Sequence, residues 1–508
     1  MKLFLTKLGL GLLLGFVCSY AMAPYNFWPL MLLSLAGLFT LIHSAKNLKR
    51  AFIYSFAFTY GYFTLSLSWV GNALLVDNNP YAWAYPLALL GAPLLISWVI
   101  PVFITLYKRF YITNHLTSPL AFAGSITLAE WIRGTFVFDG FPWNNFGYAW
   151  VDKLEIAQII VLDNIYLLTL LSALWAGFIG LAFLEKKKRT LSLIIVLITF
   201  LSSYSFGAYR LITTDITFDK TAHFKIIQPN IAQADKWDTQ KFEENFSKHI
   251  HLSRPTKALE KNTTTYIIWP ETSLTYRHTN DQRALYLYQS VLEQYEGEAY
   301  VISGFMRFLP EENKVYNSIA VLDRDFKLSG IYDKHHLVPF GEYIPFQSYI
   351  PIETVTRFSG FVRGDGPTRI TLPSGHSYSP LICYESIFPN KVIANPLRPP
   401  DFMLNVANDA WYGDSAGPHQ HFIQGQFRAI EQGIPFIRAT STGISGVVDP
   451  LGRVIKKSKL NEGISLETDL PKKISSTKLP YFLKGKIFLI LCLLFLSTAL
   501  FIRLTQRK

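Results

Sequence analysis

Residues 1–210 form a succession of long apolar runs separated by short polar breaks. Residues 220–478 change to short alternating segments, and a final apolar run, Gly485 to Ile502, follows. Crossing the hydrocarbon of a bilayer takes about 20 mostly apolar residues in a helix. The runs predict eight such helices, roughly 4–22, 26–43, 51–74, 84–107, 118–136, 163–184, 190–209 and 485–502. The second and last are slightly short, and the fifth contains charges. In the middle region, short stretches rich in β-branched and aromatic residues predict strands. These are Phe224–Gln228, Thr265–Trp269, Tyr300–Gly304, Val315–Leu322, Ser379–Cys383, Phe402–Val406, Phe436–Thr440 and Ile444–Val448. Helical stretches separate them, and Thr279-Asn280-Asp281-Gln282 has the form of a capping box. Strands interleaved with helices point to an α/β layered domain. The expected organisation is a seven-helix membrane domain over 1–210, an extramembrane α/β domain over 220–478 and a transmembrane helix over 485–502.

Composition agrees with this division. Of 508 residues, 50% are hydrophobic and 17% charged, where soluble chains carry about 25% charged residues. The net charge of +12 raises the question of a nucleic-acid partner, but the positions of the charges answer it. With the N-terminus inside, the inner segments hold Lys2, Lys7, Lys46, Lys49, Arg50, Lys108, Arg109, Lys186, Lys187, Lys188, Arg189, Arg503, Arg507 and Lys508. The outer loops 75–83 and 137–162 hold only Lys153. Positive charge is retained on the inner side of membranes, so topology accounts for much of the excess and nucleic acid is not implied. Seven spans then place the middle domain outside and return the C-terminus inside. Ala21-Met22-Ala23 also has the small-x-small form of a leader cleavage site. A second apolar run almost immediately behind it favours a retained span. Cys18 follows bulky Phe16 and Val17 and does not read as a lipidation cysteine.

Three polar clusters sit at strand ends, where a rigid scaffold can position chemistry. Glu271, in Trp269-Pro270-Glu271-Thr272, is either a general base or a solvated loop acid. Tyr332 to Glu342 packs Lys334, His335, His336, Asp333 and Glu342 into one stretch, which is a polar turn or a source of oxyanion-stabilising charge. The two histidines are adjacent and would face opposite ways on a strand, and no further ligands stand at metal-binding spacing. Cys383, in Ile382-Cys383-Tyr384-Glu385, is the only cysteine outside the apolar runs, since Cys18 and Cys492 lie within them. A free cysteine is often a small buried hydrophobe. With a base and a cation beside it, it becomes a nucleophile.

The order Trp-Pro-Glu-Thr, then the Lys334 stretch, then Cys-Tyr-Glu resembles the nitrilase (carbon-nitrogen hydrolase) superfamily, whose fold is an α-β-β-α sandwich. Joined to seven preceding spans and one following, it resembles the bacterial apolipoprotein N-acyltransferase family over essentially the whole chain. Supporting stretches are Glu130-Trp131-Ile132-Arg133-Gly134, Gly140-Phe141-Pro142-Trp143, Gln228-Pro229-Asn230-Ile231, Asn408 to Gly413 and Arg438-Ala439-Thr440. The resemblance implies a catalytic triad of Glu271, Lys334 and Cys383. Glu342, Glu385 and Tyr384 would support it, and Trp237, Trp411, Tyr412 and Arg438 would bind substrate, with a structural role the alternative for Arg438. It implies acyl transfer from a phospholipid, phosphatidylethanolamine foremost, through a Cys383 thioester to the N-terminal amine of diacylated apolipoproteins, without a cofactor. The setting would be the bacterial inner membrane, with a periplasmic catalytic domain and both termini cytoplasmic. Two other readings use the same residues: a membrane-tethered amidase or nitrile hydrolase, and a transporter or receptor whose outer domain only binds. Glu130 and Arg133, one helical turn apart near the bilayer, are a mutual ion pair or a functional site.

Overall fold

A helix satisfies its own backbone polar groups, which is why apolar runs fold as helices in a bilayer. The computed structural model describes residues 1–76, 79–111, 116–275, 281–343, 360–474 and 483–505. It divides into two compact units. The first comprises Met1–Gly71, Trp83–Thr214 and Thr477–Lys508. Among the described residues, five helices are long and apolar enough to cross a membrane: Lys2–Ser19, Ala82–Phe110, Ile165–Leu184, Lys186–Thr213 and Ile487–Thr505. Three other expected spans are helical but fall short of that measure. Pro29–His43 is shorter, Leu48–Ser66 opens on Lys49 and Arg50, and Thr117–Thr135 carries Glu130 and Arg133.

Small residues let these helices approach. A Cβ on Gly15 would stand 2.0 Å from the Phe58 carbonyl oxygen, and one on Gly61 2.5 Å from that of Leu12. The fourth run breaks into Tyr85–Ile96 and Val99–Phe110. Pro101 has no N–H to give to the Ser97 carbonyl, and the Thr59 hydroxyl donates to that oxygen instead at 2.8 Å. Glu130 and Arg133 are both fully buried and meet as a bidentate pair, at 2.7 and 3.2 Å. Asn145 donates to the carboxylate at 3.1 Å and the guanidinium donates to the Phe141 carbonyl at 2.5 Å. The pair is therefore hydrogen-bonded on both sides, as buried charges must be.

The second unit comprises Asn72–Ala82 and Asp215–Ser476. It holds two six-stranded sheets. The first is ordered β12-β1-β2-β3-β4-β5, with β1 Phe218–Gln228, β2 Thr264–Leu274, β3 Ala299–Leu309, β4 Lys314–Leu322, β5 Leu328–Asp333 and β12 Ile464–Pro471. The second is ordered β11-β10-β9-β8-β7-β6, with β6 Ile370–Thr371, β7 Ser377–Ile382, β8 Phe402–Ala407, β9 Phe436–Thr440, β10 Gly446–Val448 and β11 Val454–Lys457. Side chains alternate faces along a strand. Thus Tyr266 and Ile268 of β2 meet Phe402 and Ile437 in the core between the sheets. Ile267 and Trp269 point outward onto the helices Phe242–Leu252 and Gln282–Leu292. The outer face of the second sheet, with Leu381, Met403 and Phe436, is covered by the helix Ala416–Gln432 through Phe422 and Ala429. The architecture is an α-β-β-α sandwich.

The eight strands expected from sequence are the inner ones. The four it did not anticipate, β5, β6, β11 and β12, are the sheet edges, where an open side permits polar sequence and weakens the apolar signal. The strand expected to end at Cys383 ends at Ile382. The helix Gln282–Leu292 is capped by the Asp281 side chain, which accepts from the Arg283 N–H. Thr279 and Asn280, the first half of the expected capping box, lie outside the described residues.

Candidate active site

The inner strands β1, β2 and β3 run parallel, as do β7, β8 and β9. Parallel strands gather their carboxyl ends on one edge, the usual place for a site. Glu271 lies at the end of β2 and Cys383 directly after β7. Lys334 follows β5, whose neighbour β4 supplies Asn317.

Glu271 is exposed to the site by a bulge. Trp269 pairs with Ser303, but Leu274 pairs with Phe305, so β2 loops out between them. Gly304 makes room: a Cβ there would be 2.6 Å from the Glu271 Cα. Thr272, next in the bulge, has φ +50°. Glu271 Oε1 accepts from the Asn317 amide at 2.7 Å and stands 3.9 Å from the Lys334 ammonium. Its other oxygen, Oε2, is buried and has no partner among the described residues.

Lys334 is fully buried and donates to Glu342 at 2.9 Å. Asn317 reaches the same Glu342 carboxylate at 3.2 Å, and the Val338 N–H donates to it at 2.9 Å. Burial alone would push the Lys334 ammonium down. Glu342 and Glu271 outweigh it, and the group is held above the ordinary lysine range, charged at every physiological pH.

Cys383 occupies a sharp strand-to-helix turn. Its φ is +51°, a left-handed conformation that costs about 1–3 kcal/mol for a residue with a Cβ. The 3₁₀ turn Cys383–Ile387 begins there. The carbonyl of Cys383 accepts from Asn405 at 3.2 Å and faces His421 Nε2 at 3.1 Å. Burial pushes the thiol well above the ordinary cysteine range. Glu271 adds to this and Lys334 opposes it. At rest the sulfur is therefore held in its thiol form.

Glu385 is fully buried and does not act on the sulfur directly. It accepts from the Ile382 N–H at 2.8 Å, the His335 and His336 N–H groups at 2.8 and 3.1 Å, and the Tyr332 hydroxyl at 2.8 Å. It thereby ties the cysteine turn to the lysine loop. Burial would raise its pKa, but the His335 ring and these backbone donors hold it low. Tyr384 packs edge-on against Phe388 at 5.1 Å between ring centres. Tyr412 approaches Cys383. Burial pushes its hydroxyl well up, and the Cys383 and Asp409 charges add to the shift. Trp237 is half-buried beside the Lys236 ammonium at 5.9 Å, and Trp411 is half-buried.

Arg438 has a different place from the substrate-binding one expected. It is fully buried, paired with Asp409 at 2.7 and 2.8 Å and bonded to Asn405. Its two terminal nitrogens are engaged by internal partners while Nε has none among the described residues, an arrangement that favours the structural alternative. Sequence reading also missed Asn317, Lys236, His421 and Gly304. Asn317 had a signal: with Ser318, it interrupts an otherwise apolar strand. The others had none, because lone polar residues and glycines in loops and helices are ordinary.

Comparison with known proteins shows the family of the chain. Residues 226–477 match the carbon-nitrogen hydrolase family, and residues 14–178 match the apolipoprotein N-acyltransferase N-terminal domain. The chain is 33% identical over 491 residues to an apolipoprotein N-acyltransferase of Rhodopseudomonas palustris, covering 92% of this chain and 90% of the relative. It is 36% identical over 425 residues to one of Brucella melitensis, covering 82% and 78%. Among solved structures it is similar to Nit3 of Saccharomyces cerevisiae, a member of the nitrilase superfamily, at 15% identity and TM-score 0.36, covering 50% of this chain and 91% of that one. It is similar also to an amidase from Nesterenkonia at 18% identity and TM-score 0.36, covering 51% and 94%.

Proposed function

This chain belongs to the apolipoprotein N-acyltransferases, membrane proteins of lipoprotein N-acylation, and from that membership we propose that it works through a Glu271–Lys334–Cys383 triad by a two-step, ping-pong route. In the first step Glu271 Oε2 takes the thiol proton as Cys383 Sγ attacks the ester carbonyl carbon of a phospholipid, phosphatidylethanolamine foremost. Lys334 stabilises the oxyanion. Collapse breaks the ester C–O bond, Glu271 returns the proton to the leaving oxygen, and a lysophospholipid departs from a thioester on Cys383. In the second step the α-amine of the diacylglyceryl-cysteine of an apolipoprotein attacks that thioester. Glu271 accepts the amine proton and passes it to the departing thiol, leaving an amide. Ester and thioester are already activated, so neither step calls for a nucleotide.

One observation carries this reading. A carboxylate, an ammonium and a thiol from three separate segments lie within each other's electrostatic reach, and one buried carboxylate oxygen is without a partner among the described residues. A protonated resting thiol beside an open base supports base-assisted attack over a standing thiolate. The charge pattern of the chain supports an arrangement with the 220–478 domain periplasmic, the 1–210 and 485–502 segments in the bacterial inner membrane and both termini cytoplasmic.

The test is mass spectrometry of the purified protein after incubation with phospholipid alone. An acyl mass on the peptide carrying Cys383, released by a diacylated lipopeptide as its N-acyl product, is the expected result. Hydrolysis of small amides with no transfer would overturn the reading, as would full activity of Cys383→Ala.

A further inference from the structure

A second lysine stands beside the base. Lys236, on the short helix Gln233–Lys236, is buried, and its ammonium donates to the main-chain carbonyl of Glu271 at 2.8 Å. That carbonyl lies in the bulge of β2, whose local ladder bonds are lost, so a side chain has replaced a strand as its partner. Lys236 also lines a small cavity with Phe246, His249, Thr272, Ser273 and Ser441. A surface lysine leaves its head in water; this one is turned inward to one backbone oxygen of the site.

We propose that Lys236 is a positioning residue of the acyl-transfer site, clamping the Glu271 bulge and supplying a second positive charge from a different element than Lys334. The inference rests on the acyl-transfer reading above. Glu271 then has Lys334 near its carboxylate and Lys236 on its main-chain carbonyl. When negative charge moves to the substrate oxygen, a fixed cation nearby favours the transition state.

The charge on Lys236 is conditional. Burial lowers its pKa to about 8, against the opposing pull of Glu271. The other groups facing it are His249, from the helix Phe242–Leu252, and Trp237 beside it. On its own segment Asp235 is engaged by Lys241 at 2.6 Å. Below the midpoint Lys236 is an ammonium; above it the amine is neutral, while Lys334, held above the ordinary range, keeps its charge. The clamp therefore weakens as pH rises.

The experiment follows thioester formation on Cys383 of the full chain, given one phospholipid and no amine acceptor, between about pH 6.5 and 9.5, a range that spans the lysine midpoint. Omitting the acceptor removes its own α-amine, which titrates in the same range. For the wild type the initial rate should fall on the order of tenfold across a midpoint near 8. Lys236→Arg, always charged, should stay on the upper plateau, and Lys236→Gln on the lower one, both without the step. A merely structural lysine would change yield or overall rate and leave the step in place. A step that persists in either variant overturns the proposal, as does a wild type with no fall. Should one variant fail to accumulate, the other and the wild type decide. A wild type that forms no thioester at any pH sinks the acyl-transfer reading, and this inference with it.

Discussion

At the scale of single residues, the site is governed by what burial does to charge. Cys383 is buried with its thiol held protonated, so reagents that need a thiolate should find it slow. Iodoacetamide labelling at pH 7 should lag behind a free cysteine and rise about tenfold per pH unit up to pH 9, because each unit multiplies the thiolate fraction tenfold below the pKa. Glu271→Gln separates two effects of one carboxylate. Removing a negative charge that raises the thiol pKa should speed labelling, whereas removing the base should slow acyl transfer by about 10²–10⁴-fold. Labelling and transfer that fall together would mean that Glu271 only shapes the site. Arg438 belongs to a different class. Arg438→Ala leaves the buried Asp409 with His421 alone, having lost its guanidinium, a change that costs up to about 3–5 kcal/mol. The loss should appear as a lower unfolding temperature and poor yield, with little change in KM for lipid in whatever folds.

At the scale of elements, the geometry is made where regular structure fails. The β2 bulge turns Glu271 toward the site, and the turn after β7 holds Cys383 at φ +51°. Gly304 is the counterpart of the bulge, with a Cβ excluded by the Glu271 backbone at 2.6 Å. Gly304→Val should displace the base and cut acyl transfer by roughly 10²-fold, the scale on which misplacement of about 1 Å is felt. Circular dichroism should stay near native, and a fully active variant would remove Gly304 from this account. In the membrane unit, Gly15→Val would drive a side chain into the Phe58 carbonyl. That should destabilise the protein by about 3 kcal/mol, the upper end of ordinary overpacking, read as a fall in thermal stability in detergent.

At the scale of the whole molecule, charge asymmetry gives the topology its test. All three native cysteines are buried, so a membrane-impermeant maleimide meets little background. In intact spheroplasts Lys153→Cys should label, and Lys187→Cys should label only after permeabilisation; the reverse order would invert the proposed orientation. The layered fold was legible because the inner strands are mostly buried and carry largely apolar signals. The edges were not, since β5 and β11 are largely exposed along their length. Spans were legible as helices, but the partner of the Ser97 carbonyl at the break between Ile96 and Val99 is a hydroxyl from Thr59, a contact that no local pattern encodes.

The sequence by itself determined the kinds of the inner elements and their order, and it singled out the three side chains proposed as the triad. Periodicity, apolar length and rare polar residues at strand ends are local properties, and they are written along the chain. The tertiary structure alone decided which partners each side chain keeps. Glu342 and Asn317 hold Lys334 and Glu271 together, Glu385 joins the cysteine turn to the lysine loop, Arg438 turns inward, and Lys236 approaches the base. These contacts join residues far apart in the chain. Burial fixes their charge states through desolvation, and desolvation exists only once the sheets have packed.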